Sequence, residues 1–315
     1  MALAIAEEQD KYGGEGHRGK QGEEVAMQTD DARPVVAGYD GSKASQQALR
    51  WAVNEARMRF IPLVVCHAWQ WPYPMPPVSD EALEAVRLMG QHVLDMGVNL
   101  ARGLAPRLEV QGRLVTGSSA VVLVGESSTA DLVAVGPRGA GGFPELQLGS
   151  TAAQLAAHAY CPVAVVRESG RPAAGRVVVG VEGADPERSG LGMAFEEAKL
   201  RHAVLTAICL CPEDLDDTRQ LATRFYSTVS VWEEKYPQVT VETMVETRPH
   251  TTVLHGAADH ADLVVINDRG HDDPAELPLG PTAQSLLRGA SCPVTVIPSR
   301  MFAMSSRSAS RVPPG

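Results

Sequence analysis

The chain has 315 residues, a formal charge of −10, 44% hydrophobic residues and five cysteines. That length suits two cores rather than one. The acidic balance argues against nonspecific nucleic-acid binding, the odd cysteine count against a disulfide framework, and the absence of a long apolar run against a membrane span.

The first ten residues, MALAIAEEQD, hold an apolar stretch too short for a secretory signal, so the expected setting is cytoplasmic and reducing. Residues 1–32 are polar, without an apolar period, and read as a disordered tail. Pro34 to Tyr39 forms a first strand, and Asp40-Gly41-Ser42 turns it into a helix running to Arg59. Ala48, Leu49, Ala52, Val53 and Ala56 supply that helix with an apolar face. Asp40 stands at the carboxyl end of the strand, where open α/β sheets place ligands, and it also suits a turn or cap. Leu63 to Ala68 is the second strand. His67 near its end reads as a packed or hydrogen-bonded residue rather than a site residue. The prolines of the following WQWPYPMPPVSD exclude regular structure, and its aromatics are expected to cover the sheet edge. A helix from about Ser79 to Leu104, a strand over Val110 to Val115 and a helix from Ser119 lead to the most informative stretch.

Leu132 to Val135 is wholly apolar, as befits a strand buried on both faces of a parallel sheet. Gly136 ends it. The loop that follows contains Gly139, Gly141 and Gly142, with Arg138 and Glu145 as its charges. Gly149-Ser150-Thr151 then opens a helix rich in Ala and Leu, with Ser150 as the expected N-cap. Strand, glycine loop and helix N-terminus bring free backbone N–H groups and the positive end of a helix dipole together, which suits an anion. A Walker A loop is excluded because no Lys is present. The dinucleotide fingerprint fails because Pro144 stands where its third glycine belongs. Cys161 to Val166 reads as a closing strand. Cys66, Cys161, Cys209 and Cys292 lie in or beside apolar runs and read as buried small hydrophobes. Cys209-x-Cys211 lacks metal-site spacing.

After a linker at 169–175 the pattern repeats. VVVGVEGA at Val177 matches VVAGYDGS at Val35, and LTAICLC matches LVVCHA. DLVVINDRG at Asp262 matches DLVAVGPRG at Asp131. GPTAQSLLRGASCPVTVI at Gly280 matches GSTAAQLAAHAYCPVAVV at Gly149. Alternating strands and helices predict two tandem doubly wound α/β domains, each with five mostly parallel strands and helices on both faces.

Gly136-x-x-Gly139, nine residues, then Gly149-Ser150 resembles the ATP-binding subset of the universal stress protein family. The repeat extends the resemblance, as a tandem form, over about 33–299. It implies a Rossmann-like (adenine nucleotide alpha hydrolase-like) domain at 33–168, a degenerate second one at 176–299 and a C-terminal tail at 300–315. It also implies that the first domain binds ATP. Gly38, Tyr39 and Asp40, with Ala68 beside the adenine, would form one side of the site. Val135, Gly136, Arg138, Gly139, Gly149, Ser150 and Thr151 would hold ribose and phosphates, and Asp40 would contact the ribose or a metal on the phosphates, with Mg²⁺ the candidate ion. The second copy carries Glu182 for Asp40, Asn267 for Gly136 and Pro281 for Ser150, and adds Asp268, Asp272, Asp273 and Glu276. Two like charges about 6 Å apart repel by roughly 3 kcal/mol at an effective dielectric near 20, so this copy is expected to have lost its site. The implied role is a stress-response binding module. A slow ATPase or other adenine-nucleotide-processing enzyme, and a nucleotide-free scaffold, are the alternatives. Val163 to Val166 and Val294 to Ile297 would be bare sheet edges in lone domains. They are expected to pair as an intramolecular pseudo-dimer, with dimerisation of whole chains left open.

Overall fold

The computed structural model describes residues 32–71, 79–141, 146–168, 173–182, 190–211, 215–270 and 278–301. Most of the expected tail at 1–32, and residues 72–78 of the proline-rich insert, lie outside these.

The first copy contains β1 (Val35–Gly38), α1 (Lys43–Arg59), β2 (Leu63–Trp69), α2 (Asp80–Leu104), β3 (Val110–Thr116), α3 (Ser119–Glu126), β4 (Leu132–Val135), α4 (Ser150–His158) and β5 (Val163–Val165). The second contains β6 (Arg176–Glu182), α5 (Leu191–Arg201), β7 (Val204–Leu210), α6 (Leu215–Lys235), β8 (Val241–Glu246), α7 (His250–Ala258), β9 (Leu263–Asn267), α8 (Pro281–Gly289) and β10 (Val294–Ile297). Local chemistry sets several of these boundaries. Ser42 caps α1 by accepting the Ser45 N–H at 3.1 Å, and Ser79 caps α2 by accepting that of Ala82 at 3.3 Å. The closing strand β5 is shorter than expected at its start. Pro162 has no N–H for the ladder, although its carbonyl still accepts from Val133 at 3.0 Å.

All ten described strands join one sheet in the order β3-β2-β1-β4-β5-β10-β9-β6-β7-β8. Every pairing is parallel except β5 with β10, where Val294, Thr295 and Val296 oppose Val165, Ala164 and Val163. The two closing strands thus cover each other's edge, and the copies share a continuous sheet. One apolar core spans both copies on the face carrying α3, α4, α7 and α8, and includes Val133, Leu155, Leu286 and Val294. The opposite face holds one core per copy, and both pack against Trp51 and Met193.

Between those two cores lies a buried ionic cluster. Glu55 and Arg59 of α1 correspond, by the repeat, to Glu197 and Arg201 of α5. Arg59 bonds Glu197 and Arg201 bonds Glu55, while each arginine also lies near the glutamate of its own helix. Both glutamate side chains are almost fully buried. Burial pushes the Glu55 carboxyl up, against the pull of Arg201 and Arg59. The E-A-x-x-R pattern recurs at Glu55 and Glu197, so the signal was present in the sequence; in one helix alone it reads as a solvated face.

Candidate functional site

In the first copy, β1 is flanked by β2 on one side and β4 on the other, so the strand order reverses there. The carboxyl ends of β1 and β4 therefore form the crevice in which an open α/β sheet binds ligands. Gly38 to Asp40 leave β1 on one side of it. Val135 to Gly139 leave β4 on the other.

Asp40 ties the two sides together. One carboxylate oxygen accepts the Ser42 N–H at 3.0 Å, and the other accepts the Ala140 N–H at 2.6 Å across the crevice. Burial raises the Asp40 carboxyl, but bonds from Ser42, Ala140 and Ser45 outweigh it, and the net shift is downward. The glycines permit this closeness. A Cβ on Gly139 would lie 2.5 Å from the Asp40 carboxylate, and one on Gly136 would lie 2.8 Å from the carbonyl carbon of Ala44 in α1. Gly149 closes the loop, its N–H donating to the Pro137 carbonyl at 2.7 Å.

The helix tip differs from expectation in one respect. Gly149, in extended conformation, is the N-cap of α4, and Ser150 is the first helical residue. The exposed Ser150 hydroxyl thus makes no capping bond and is available to the crevice. The first intrahelical bond is Ala153 N–H to Gly149 O, and the N–H groups of Ser150, Thr151 and Ala152 find no acceptor among the described residues. These are the orphan donors of a helix start.

Not every expected residue presents a side chain to this crevice. The Tyr39 ring is buried in the core against Gly97, where a Cβ would approach it to 2.7 Å. Its hydroxyl is raised by burial and by Asp40. Val135 is buried, and its carbonyl accepts from Val166 at 2.8 Å. Ala68 lies at the end of β2, half-buried beside the core of the α3 and α4 face. Arg138 is exposed on the loop. His67 is held by its ring Nδ1, 2.7 Å from the Tyr39 carbonyl, which is the packed role expected of it. Gly142 and Glu145 lie outside the described residues. Sequence reading missed Arg167, just beyond β5. It donates to the Gln147 carbonyl at 2.9 Å and to the Leu287 carbonyl of the second copy.

The second copy builds the same crevice from different groups. Glu182 turns to the ring of His250, 3.2 Å away. Asn267 accepts the Gly190 N–H at 3.0 Å through its side-chain oxygen. Pro281 is the first residue of α8 behind N-cap Gly280. Leu210 replaces Ala68. It is 1% exposed, with a methyl 3.3 Å from where a Cβ of Gly180 would be, so it packs over the end of β6. What remains is a concavity lined by Gly180, Glu182, Ile266, Asn267 and Thr282, with room for little more than a water molecule. Asp268 does not join an acidic cluster at the helix tip as expected. It is buried, and its carboxylate is consumed by the N–H and hydroxyl of Ser299 at 3.0 and 2.5 Å. Asp272, Asp273 and Glu276 lie outside the described residues.

All five cysteines are free and buried, with the Cys209 and Cys211 sulfurs 3.3 Å apart. Burial pushes the Cys66 and Cys161 thiols up to about 12. Among the described residues no cluster of three or more His, Cys, Asp or Glu side chains could hold a metal ion, and no helix is long and apolar enough to cross a membrane.

The chain is similar to other proteins over most of its length. It is 28% identical over 285 residues to universal stress protein Rv2623 of Mycobacterium tuberculosis, covering 83% of this chain and 95% of that one. It is 30% identical over 286 residues to universal stress protein Rv2005c of the same species, covering 83% and 96%. Among solved structures, a universal stress protein from Archaeoglobus fulgidus DSM 4304 superposes with a TM-score of 0.66 at 18% identity, covering 84% of this chain and 96% of that one. The profile of the universal stress protein family matches twice, at residues 32–167 and 174–298. With both copies matched and the strands joined in the expected parallel order, the chain belongs to the universal stress protein family.

Proposed function

We propose that the first copy, spanning about 33–168, binds ATP, and that the chain acts as a cytoplasmic stress-response binding module in which occupancy alters partner contacts. The observation that carries the reading is the group of unaccepted N–H donors at Ser150, Thr151 and Ala152, facing a glycine loop braced by Asp40. A phosphate is the natural acceptor for such a cradle. Gly136, Gly139 and Gly149 let the backbone approach it, the Ser150 and Thr151 hydroxyls add donors, and Arg138 adds charge. Gly38, Tyr39 and Val135 contribute backbone at the strand ends, with the adenine beside Ala68. A Mg²⁺ would ride on the phosphates and water, as this ion commonly does. Each Asp40 oxygen accepts one N–H and keeps a second lone pair, so Asp40 would be free to contact the ribose or that ion.

Heat release of small molecules from freshly purified protein, identified by mass spectrometry, tests this, together with calorimetric titration of stripped protein. ATP or ADP at about one per chain is expected. No retained nucleotide and no titratable binding would instead favour a scaffold. ATP turnover at or above about 1 s⁻¹ would make the protein an enzyme rather than a module.

A further inference from the structure

Arg167 connects two places that the repeat alone would keep apart. It follows β5, beside the carboxyl end of β4, and is half-buried. One guanidinium nitrogen donates both to the carbonyl of Gln147, two residues before the N-cap of α4, and to the carbonyl of Leu287 in the last turn of α8. A helix C-terminus offers unsatisfied carbonyls and a partial negative charge, so a cation is well placed there. Among the described residues no carboxylate pairs with Arg167. Burial and the nearby Arg138 charge both push its pKa down, so the carbonyls are what hold it. The second copy has Pro298 at the equivalent position, which cannot make such a link. The tether therefore runs one way, with the second copy bracing the loop of the first.

We propose that Arg167 is a positioning residue for the phosphate-binding turn, and that the first copy's site is complete only when α8 of the second copy anchors Arg167. The proposal rests on the ATP reading above. It gives the degenerate copy a function: it supplies the fixed wall against which the turn Gln147–Gly149 is held, so the donors of Ser150, Thr151 and Ala152 are aimed before ligand arrives. Pre-organisation of this kind raises affinity by removing the ordering cost on binding.

The test titrates full-length wild type, Arg167→Ala and Arg167→Lys with ATP and with adenosine, which lacks phosphates. Arg167→Ala is expected to weaken ATP about tenfold while changing adenosine less than twofold, and Lys, which also donates to carbonyls, to recover part of the loss. Hydrogen exchange on the wild type needs no variant. ATP should slow exchange at the end of α8, around Leu286 to Ala290, because the turn and α8 share one clamp. Wild type that binds adenosine compounds but loses nothing on Arg167→Ala overturns the tether and leaves the ATP reading intact. Equal losses for ATP and adenosine make Arg167 merely structural and also overturn it. Faster exchange at the end of α8 with ATP would mean that the guanidinium abandons Leu287 for the phosphates, which overturns the tether in favour of direct contact. Wild type that binds no ATP overturns both.

Discussion

In the first copy Asp40 reaches across the crevice to the Ala140 N–H, whereas in the second Glu182 turns to His250. Gly136 lies against Ala44, while Asn267 spends its side chain on Gly190. Ser150, Ala68 and Arg167 become Pro281, Leu210 and Pro298. Yet β5 and β10 hold equivalent places and pair with each other, and Glu55–Arg59 is repeated by Glu197–Arg201. The difference follows from symmetry. Around a pseudo-two-fold axis a residue of one copy meets the counterpart of its own neighbour, as Arg59 meets Glu197 and Arg201 meets Glu55, so each copy constrains the other there. The two crevices lie away from the axis and answer to no such constraint. One could drift while the fold stayed whole.

The sharpest way to break this comparison is to attack its symmetric part. Glu197→Gln leaves Arg59 and Arg201 sharing one buried carboxylate, Glu55, with only the part-exposed Asp131 and Glu196 beside Arg59. Stranding a buried charge costs about 3–5 kcal/mol, and Glu55→Gln should cost nearly the same. Urea denaturation measures both. A loss below about 1 kcal/mol would place the cluster with exposed ion pairs and remove it as the lock between copies.

Ser150→Pro attacks the asymmetric part. Pro281 occupies the same first helical position behind a glycine N-cap, so the helix should tolerate proline. The change removes one N–H and one hydroxyl from the proposed phosphate site. Two such contacts, at roughly 1.5–3 kcal/mol each and with partial relaxation, correspond to a loss of about 2–4 kcal/mol. Calorimetry should show ATP affinity falling about 30- to 1000-fold, with the urea midpoint nearly unchanged. The reverse change, Pro281→Ser, should create no second site, because the buried Leu210 still stands where the proposed adenine end has Ala68 in the first copy. A wild-type stoichiometry near two would show that the copies are functionally alike.

Gly136→Ala sharpens the comparison at smaller scale. The new methyl would press on Ala44 backbone at 2.8 Å, which has no flexible end to swing aside. Overpacking of this kind costs about 1–3 kcal/mol. In the second copy, Asn267→Gly should cost only about 1 kcal/mol, through the lost bond to Gly190. Equal effects at the two positions would mean that the glycine serves the ligand alone.

Much of this contrast could be read from the chain itself. Val35–Gly38 and Leu132–Val135 are short runs with no polar face, which only a strand covered on both sides accommodates. The repeat then fixed the pairing of Val163–Val165 with Val294–Ile297, because equivalent bare edges complement each other. The site was legible as a set of backbone positions and less so as side chains. Ser150 was a plausible cap by type, but Gly149 holds the extended conformation that defines one. Asp268 looked like a charge beside the ligand. Its partner, Ser299, is far along the chain, and only the folded sheet brings the two together. Arg167 was illegible for the same reason: its acceptors are backbone carbonyls, which carry no sequence signature.

The smallest predicted effect concerns pH. Asp40 carries a folded-state pKa below its ordinary value near 3.8, because the bonds from Ser42, Ala140 and Ser45 outweigh the burial that raises it. A depressed carboxylate stabilises the fold fully above its unfolded pKa, and the contribution disappears as pH falls through the lower folded value. Asp40→Asn removes the charge but keeps one acceptor, and its amide then faces a backbone N–H. The variant should therefore be less stable than wild type by about 1 kcal/mol near pH 7. The gap should persist to about pH 4 and shrink steadily below it, as wild-type Asp40 takes up a proton. Urea midpoints for the pair between pH 7 and pH 3 measure this difference, and carboxylates common to both proteins cancel. Glu182→Gln supplies the contrast, since Glu182 braces no glycine loop and pairs instead with His250. A gap for Asp40→Asn that stays constant down to pH 3 would mean that the bonds to Ser42 and Ala140 do not depend on the charge. The brace across the first crevice would then be steric rather than electrostatic.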